Sequence, residues 1–242
     1  MIICGLDYSM NSPGVVKAKL DKNLDVTELT YRGVTSVKKV AKLDENIIFY
    51  DKKQFPDSIA KAIWMADRLL GFMCNCDVDG VSGGMVKHTL SVPDYCAMEG
   101  YAMGAKGQVF NIAESTMTTK LGLYRNEIAL RIYSPSTIKK FATGRGGGKG
   151  ANKVDKTVMD AYYEKIDMKD RLDLSHLPVA KVPKEDIVDA YYSMKLLQME
   201  LKLRYGLIDL KSLPLHMIET FNRVTKANPE NILVRPFISA KV

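Results

Sequence analysis

Four carboxylates in three short motifs are the residues of this chain best suited to chemistry. Asp7 ends the apolar run Met1 to Leu6, Glu99 ends the run Val92 to Met98, and Asp186 and Asp189 stand in Glu185-Asp186-Ile187-Val188-Asp189. A carboxylate at the end of a buried strand is costly unless a cation, a donor or water compensates it. Two strand-end acids facing a helix-borne pair three residues apart would form a carboxylate cage for divalent cations. The chemistry expected of such a cage is metal-assisted hydrolysis of phosphodiesters. Plainer readings stand beside this one. Asp7 and Glu99 could be structural strand-end acids, and Asp186 a helix-start residue favoured by the macrodipole, which leaves Asp189 as the safer ligand of its pair.

A basic segment supplies the complementary charge. The chain has 35 Lys and Arg against 28 Asp and Glu, a formal net charge of +7. Between Ser134 and Lys156 the cations Lys139, Lys140, Arg145, Lys149, Lys153 and Lys156 face only Asp155. Within that segment runs Gly144-Arg145-Gly146-Gly147-Gly148-Lys149-Gly150, the most glycine-dense stretch of the chain. Glycine lets backbone approach a phosphate closely, and cations that neutralise phosphates release counterions. The alternative is a solvated loop. The stretch is not a P-loop, because no Ser or Thr follows Lys149 and no apolar strand leads into it.

Elements must bring these residues together. At 242 residues and 46% hydrophobic, the chain can bury one good core, with one domain plus appendages expected. No stretch is apolar for long enough to span a membrane and the N-terminus opens directly on a strand, so a cytoplasmic protein is expected. Cys4, Cys74, Cys76 and Cys96 form one C-x-C and no second pair, which predicts reduced structural thiols rather than a zinc site. His88, His176 and His216 lie in unrelated segments without an identifiable Ser or Cys partner, which argues against a nucleophilic triad. The methionines, thirteen in all, read as core filling.

The hydrophobic pattern predicts a strand over Ile2 to Leu6, then strands over Val15 to Leu20 and Leu24 to Tyr31 turning at Asp21-Lys22-Asn23, and a short strand or insertion at Ile47 to Tyr50. Asp57 caps a predicted helix from Ser58 to Met73 with an apolar face of Ile59, Ile63, Ala66, Leu70 and Met73. A buried strand over Val92 to Met98 follows, then a helix over Val109 to Leu121 facing inward with Val109, Ile112, Ala113, Met117 and Leu121. Next come a strand over Ile128 to Tyr133 stopped at Pro135, a helix from Lys153 to about Ile166, a strong helix from Lys184 to about Tyr205, and a short helix around Leu213 to Phe221.

This ordered set resembles the RuvC-type Holliday junction resolvases of the ribonuclease H-like superfamily, over roughly Met1 to Tyr205. Gly5-Leu6-Asp7 resembles the family's opening Gly-Ile-Asp-Pro-Gly, with Tyr8-Ser9 in place of Pro-Gly. Glu99-Gly100-Tyr101 resembles the second acid, and Pro135-Ser136-Thr137-Ile138-Lys139 the Pro-x-x-x-Lys element. Thr143-Gly144 with Ala151-Asn152-Lys153 resembles the Gly-x-Gly-x-Ala-x-Lys stretch, here enlarged, and Asp186-Ile187-Val188-Asp189-Ala190 the terminal acidic signature. The long tail and enlarged loop resemble the phage-encoded branch. Where family enzymes carry a base-unstacking Phe this chain has Ala102, so Tyr101 or Phe110 would take that role, or none would.

The resemblance implies an α/β fold with a mixed five-stranded sheet flanked by helices, a nuclease domain over 1–205, and a C-terminal extension over 206–242 packed on it. It also implies hydrolysis with two Mg²⁺ or Mn²⁺ ions per site, Asp7 bridging them and Glu99 and one of Asp186 or Asp189 completing their separate shells. Cleavage would leave 5′-phosphate and 3′-hydroxyl ends. Lys153, with Lys139, would balance phosphate charge, and Lys140, Arg145, Lys149 and Tyr101 would contact DNA. The implied partners are branched DNA, four-way junctions foremost, and a second copy of the chain in a homodimer, in the host cytoplasm if the protein is phage-encoded. Two readings of other classes remain: a non-catalytic branched-DNA-binding protein, and an ATPase of the actin type, for which the chain is short.

Overall fold

The computed structural model describes residues 1–76, 81–82, 85–86, 91–100, 109–146, 154–178 and 183–227. Strands β1 (Ile2–Asp7), β2 (Gly14–Leu20) and β3 (Val26–Thr35) form an antiparallel meander, and the short helix α1 (Lys38–Ala41) leads to β4 (Ile47–Phe49) beside β3. Helix α2 (Ser58–Met73) starts where Asp57 accepts from the Ala60 amide at 2.8 Å. After a two-stranded hairpin, β5 (Val81–Ser82) and β6 (Met85–Val86), comes β7 (Tyr95–Glu99), parallel to β1. Helix α3 (Val109–Arg125) then returns the chain to β8 (Ala129–Tyr133), parallel to β7. The main sheet runs β4-β3-β2-β1-β7-β8, a mixed α/β arrangement with one strand more than expected, because β4 pairs with β3.

Alternation along the central strands splits the core in two. Ile3, Val16 and Ala18 face one side, while Cys4, Leu6 and Val15 face α2 and α3 on the other. On the first side lie α4 (Pro135–Thr143), α5 (Lys156–Tyr163), α6 (Lys184–Arg204) and α7 (Leu215–Ala227). Helix α6 packs on β1, β2 and β7 and also meets α4 and α5, so apolar residues all around it are buried. Its far end is tied by a buried ion pair: Arg131 of β8 donates to Glu200 at 3.0 Å, with the Tyr133 hydroxyl (2.6 Å) and Arg204 (2.7 Å) on the same carboxylate. Arg131 also reaches the Val224 carbonyl of α7 at 3.4 Å.

Several expected details shift. The Val92 to Met98 strand begins at Tyr95, because Asp94 instead accepts from the Ile2 amide at 2.8 Å. The inward stripe of α2 is Ala62, Met65, Ala66, Leu69, Leu70 and Met73; Ile59 is 66% exposed and Ile63 also faces out. Two overlapping helical stripes share Ala66, Leu70 and Met73, and the sheet takes the one that fits Met65 and Leu69. On α3, Met117 is 57% exposed while Thr116 is buried, its hydroxyl satisfied by the Ile112 carbonyl at 2.5 Å. Helix α4 was not expected, although its signals are present: Ser134 accepts from the Thr137 amide, Pro135 opens the first turn, and Gly144 closes the helix with φ of 77°.

Candidate active site

β1 and β7 are parallel neighbours in register, Leu6 opposite Met98, so the residues that end them, Asp7 and Glu99, come side by side at one end of the central strands. The third acid is delivered by α6, which crosses the sheet at its two thinnest points. A Cβ on Gly5 would lie 2.0 Å from the Ala190 carbonyl oxygen, and one on Gly14 would lie 2.8 Å from the Asp186 carbonyl carbon. Only glycine lets the helix backbone come this close. Asp7 pairs with Gly14 across the β1–β2 ladder, so the Asp186–Asp189 turn of α6 is set directly over it.

Asp7, Glu99 and Asp189 each bring a carboxylate oxygen to within 4.8 Å of the others. Asp186 is committed elsewhere. Its Oδ2 accepts from Ser12 Oγ at 2.5 Å and its Oδ1 from Lys156 Nζ at 2.6 Å, while Lys156 also lies 3.3 Å from Glu185. The helix-borne pair therefore divides, Asp189 joining the acid cluster and Asp186 anchoring a lysine beside it.

The electrostatics of the cluster are those of buried like charges held close together. Burial, then the charges of Asp186, Glu99 and Asp189, hold the Asp7 carboxyl well above its usual range. Burial also raises Glu99, against the pull of Lys139 and Lys156. Asp189 is pushed up to about 7 by burial and by Glu99. Burial disfavours the charge of Lys156, but the Asp186 carboxylate outweighs it and holds the ammonium above its ordinary value. Three hard oxygen donors, close together and strained while ionised, match what Mg²⁺, Mn²⁺ or Ca²⁺ takes as ligands and do not suit a metal that prefers sulfur or imidazole.

These residues line an open cleft of about 370 Å³ with Tyr8, Met10, Asn11, Ile112 and Thr116 along its walls. Of the expected DNA contacts, Lys139 projects from α4 into the cleft. Lys140, one residue on, points elsewhere and is ion-paired with Glu219 of α7. Arg145 is exposed just past the end of α4. Tyr101, Lys149 and Lys153 lie outside the described residues, as does the Phe110 side chain. Two residues that hold Asp186 were missed from the sequence. Ser12 carried only the signal of a Ser-Pro-Gly turn, and Lys156 stood in the basic segment directly after the helix-capping Asp155.

No protein-family model and no curated protein sequence matches the chain. Among solved structures, it is similar to Thermus thermophilus RuvC in complex with a Holliday junction substrate, at 11% identity and a TM-score of 0.47, covering 86% of this chain and 97% of that one. A second T. thermophilus RuvC structure matches at 12% identity and a TM-score of 0.46, covering 86% and 98%. The Fowlpox virus resolvase, in complex with Holliday junction DNA, matches at 15% identity and a TM-score of 0.47, covering 83% and 99%. Residue for residue these proteins share little with this chain, so the chemistry of the cleft rests on its own side chains.

Proposed function

We propose that this chain is a metal-dependent endonuclease of branched DNA, four-way Holliday junctions foremost, that leaves 5′-phosphate and 3′-hydroxyl ends. The observation that carries this reading is the convergence of Asp7, Glu99 and Asp189 from three separate elements, with Lys139 and Lys156 on the same cleft. Clustered acids repel a phosphate diester unless a cation accompanies them. The preference for branched DNA rests on the resemblance of the ordered motifs to the junction resolvases.

Asp7, Glu99 and Asp189 would hold Mg²⁺ or Mn²⁺, with two ions expected from the family resemblance. Bound divalent cations would supply Lewis-acid activation of water and neutralisation of the phosphate. The chain's own residues do the rest. Asp186, fixed by Ser12, holds the Lys156 ammonium at the rim, where with Lys139 it offsets charge on the scissile phosphate and orients the strand. Lys153, Lys149, Arg145 and Tyr101 are assigned to DNA contact on sequence grounds. A homodimer is the proposed working unit on a junction.

The test is cleavage of synthetic four-way junctions, forks, flaps and linear duplexes with Mg²⁺, Mn²⁺ or Ca²⁺ and in chelator. Asp7→Asn and Asp189→Asn should each lower cleavage by at least 10³-fold, on the order of 4 kcal/mol of lost transition-state stabilisation, and leave junction binding equal or tighter. Ca²⁺ should support binding with little turnover. Cutting at the unmodified rate by Asp7→Asn, or full activity in excess chelator, sinks the assignment.

A further inference from the structure

A second charged groove lies at the other end of the sheet, on the α2 side. It is a cleft of about 520 Å³ whose floor is β2 and β3, with Lys17, Lys19 and Arg32 on one face and the end of α2 as its wall. Glu28 is the sole acid among the lining residues. Lys17 is already used: its ammonium donates to the Phe72 carbonyl at 2.8 Å and to Asn75, which neutralises the negative end of α2. That leaves two cations for a ligand. Lys19 is exposed and has no ion pair among the described residues, although Glu28 stands opposite it in register. Arg32 lies 5.3 Å from the centre of the Phe72 ring and donates only a long 3.3 Å bond to the Glu45 carbonyl.

We infer that this groove binds the phosphate backbone of a nucleic-acid strand, several nucleotides away from the scissile bond; the inference rests on the nuclease reading above. Arg32 stands four residues along β3 from Glu28, the partner of Lys19, or about 14 Å along the strand, comparable to two successive phosphate steps on one strand. Lys19 is five residues from Gly14, the partner of Asp7, or about 17 Å along the strand, so the groove and the acid cluster cannot hold the same phosphate. Thr30 adds a hydroxyl of the kind that meets phosphate oxygens. The groove presents cations where the acid cluster presents anions, so it needs no metal to bind DNA.

The experiment measures affinity of the full chain for a labelled four-way junction in chelator, as a function of salt. Lys19→Glu/Arg32→Glu should weaken binding about tenfold more than Lys53→Glu/Lys211→Glu, which makes the same change in net charge at exposed sites away from the groove. Lys19→Gln/Arg32→Gln, gentler on the strands, should lower the slope of log affinity against log salt by roughly 1.8 for two lost phosphate contacts. Both groove variants should still cut a four-way junction whose arms are too short to reach the groove. If the unmodified chain binds and cuts junctions while the groove variants keep its salt slope, the groove inference is overturned and the nuclease stands. If the unmodified chain binds no DNA, the nuclease reading itself fails. Protection of Lys19 from an amine-modifying reagent by inorganic phosphate but not by junction DNA would assign the groove to a small anion and also overturn the inference.

Discussion

Asp186 and Asp189 look interchangeable in the sequence, three residues apart on one helix, yet their surroundings give them different work. Asp186 has both oxygens taken, by Ser12 and Lys156, while Asp189 is pressed against Glu99 and Asp7 in a buried corner. A carboxyl whose pKa rises on folding makes the protein bind more protons than its unfolded chain, so stability falls as pH climbs from the unfolded value near 4 to the folded one. For Asp189 that window ends at about 7, and burial carries Asp7 upward as well. In chelator, the protein should therefore melt at a lower temperature at pH 8 than at pH 5.5. Asp189→Asn should remove part of that dependence and be more stable than the unmodified protein at pH 8, by about 2 kcal/mol. Saturating Mg²⁺ should raise the melting temperature of the unmodified protein at pH 8 more than that of Asp189→Asn. Calorimetry across that range checks this, and equal melting temperatures of the two proteins at pH 8 would contradict it.

At the scale of elements, the site depends on how closely α6 lies on β1. Gly5 is in mid-strand, where glycine ordinarily weakens a sheet, and it is tolerated because the backbone of Ala190 occupies the place of a side chain. Gly5→Ala must push helix and strand apart, so it should cost about 3 kcal/mol or more in urea unfolding and lower cleavage by displacing Asp189 from Asp7. A variant as stable as the parent would show that the helix can shift freely. The acids at strand ends, the Asp57 cap and the long helix were all legible, because each is a local pattern. Glycine at position 5 gave no hint of what it approaches, since Ala190 lies 185 residues further along the chain. Helix α4 is only nine residues long and runs straight into the glycine-rich segment, so Ser134-Pro135 at its start was its main local signal. The stripes of α2 and α3 were misread where two registers overlap, and Ile59 and Met117 lost to the register that buries Met65 and Thr116. Ser12 and Lys156 could not be tied to Asp186 from the sequence, because only the fold brings three distant segments together.

For the whole molecule, the chain as described holds one acid cluster, while resolution of a four-way junction into two ligatable duplexes needs cuts in two opposed strands. A two-fold dimer supplies two such clusters with matched geometry. On a supercoiled cruciform plasmid, paired cuts within one binding event should give linear product directly. Accumulation of relaxed circles at saturating protein, with one chain per junction by mass measurement, would count against the dimer and leave the nuclease standing.

The tight seat of α6 on the two glycines has a consequence for how the protein breathes. The amides of Ile187 and Met194 lie within 2.8 and 2.5 Å of where a β-carbon would sit on Gly14 and Gly5, under a helix buried on every side. Lifting that helix opens the whole core on its side of the sheet, so these amides should exchange with solvent deuterium only when the domain unfolds. The spacing of the acids is then as long-lived as the native state itself. The mutual repulsion of Asp7, Glu99 and Asp189 cannot relax by movement and persists until protons or cations arrive.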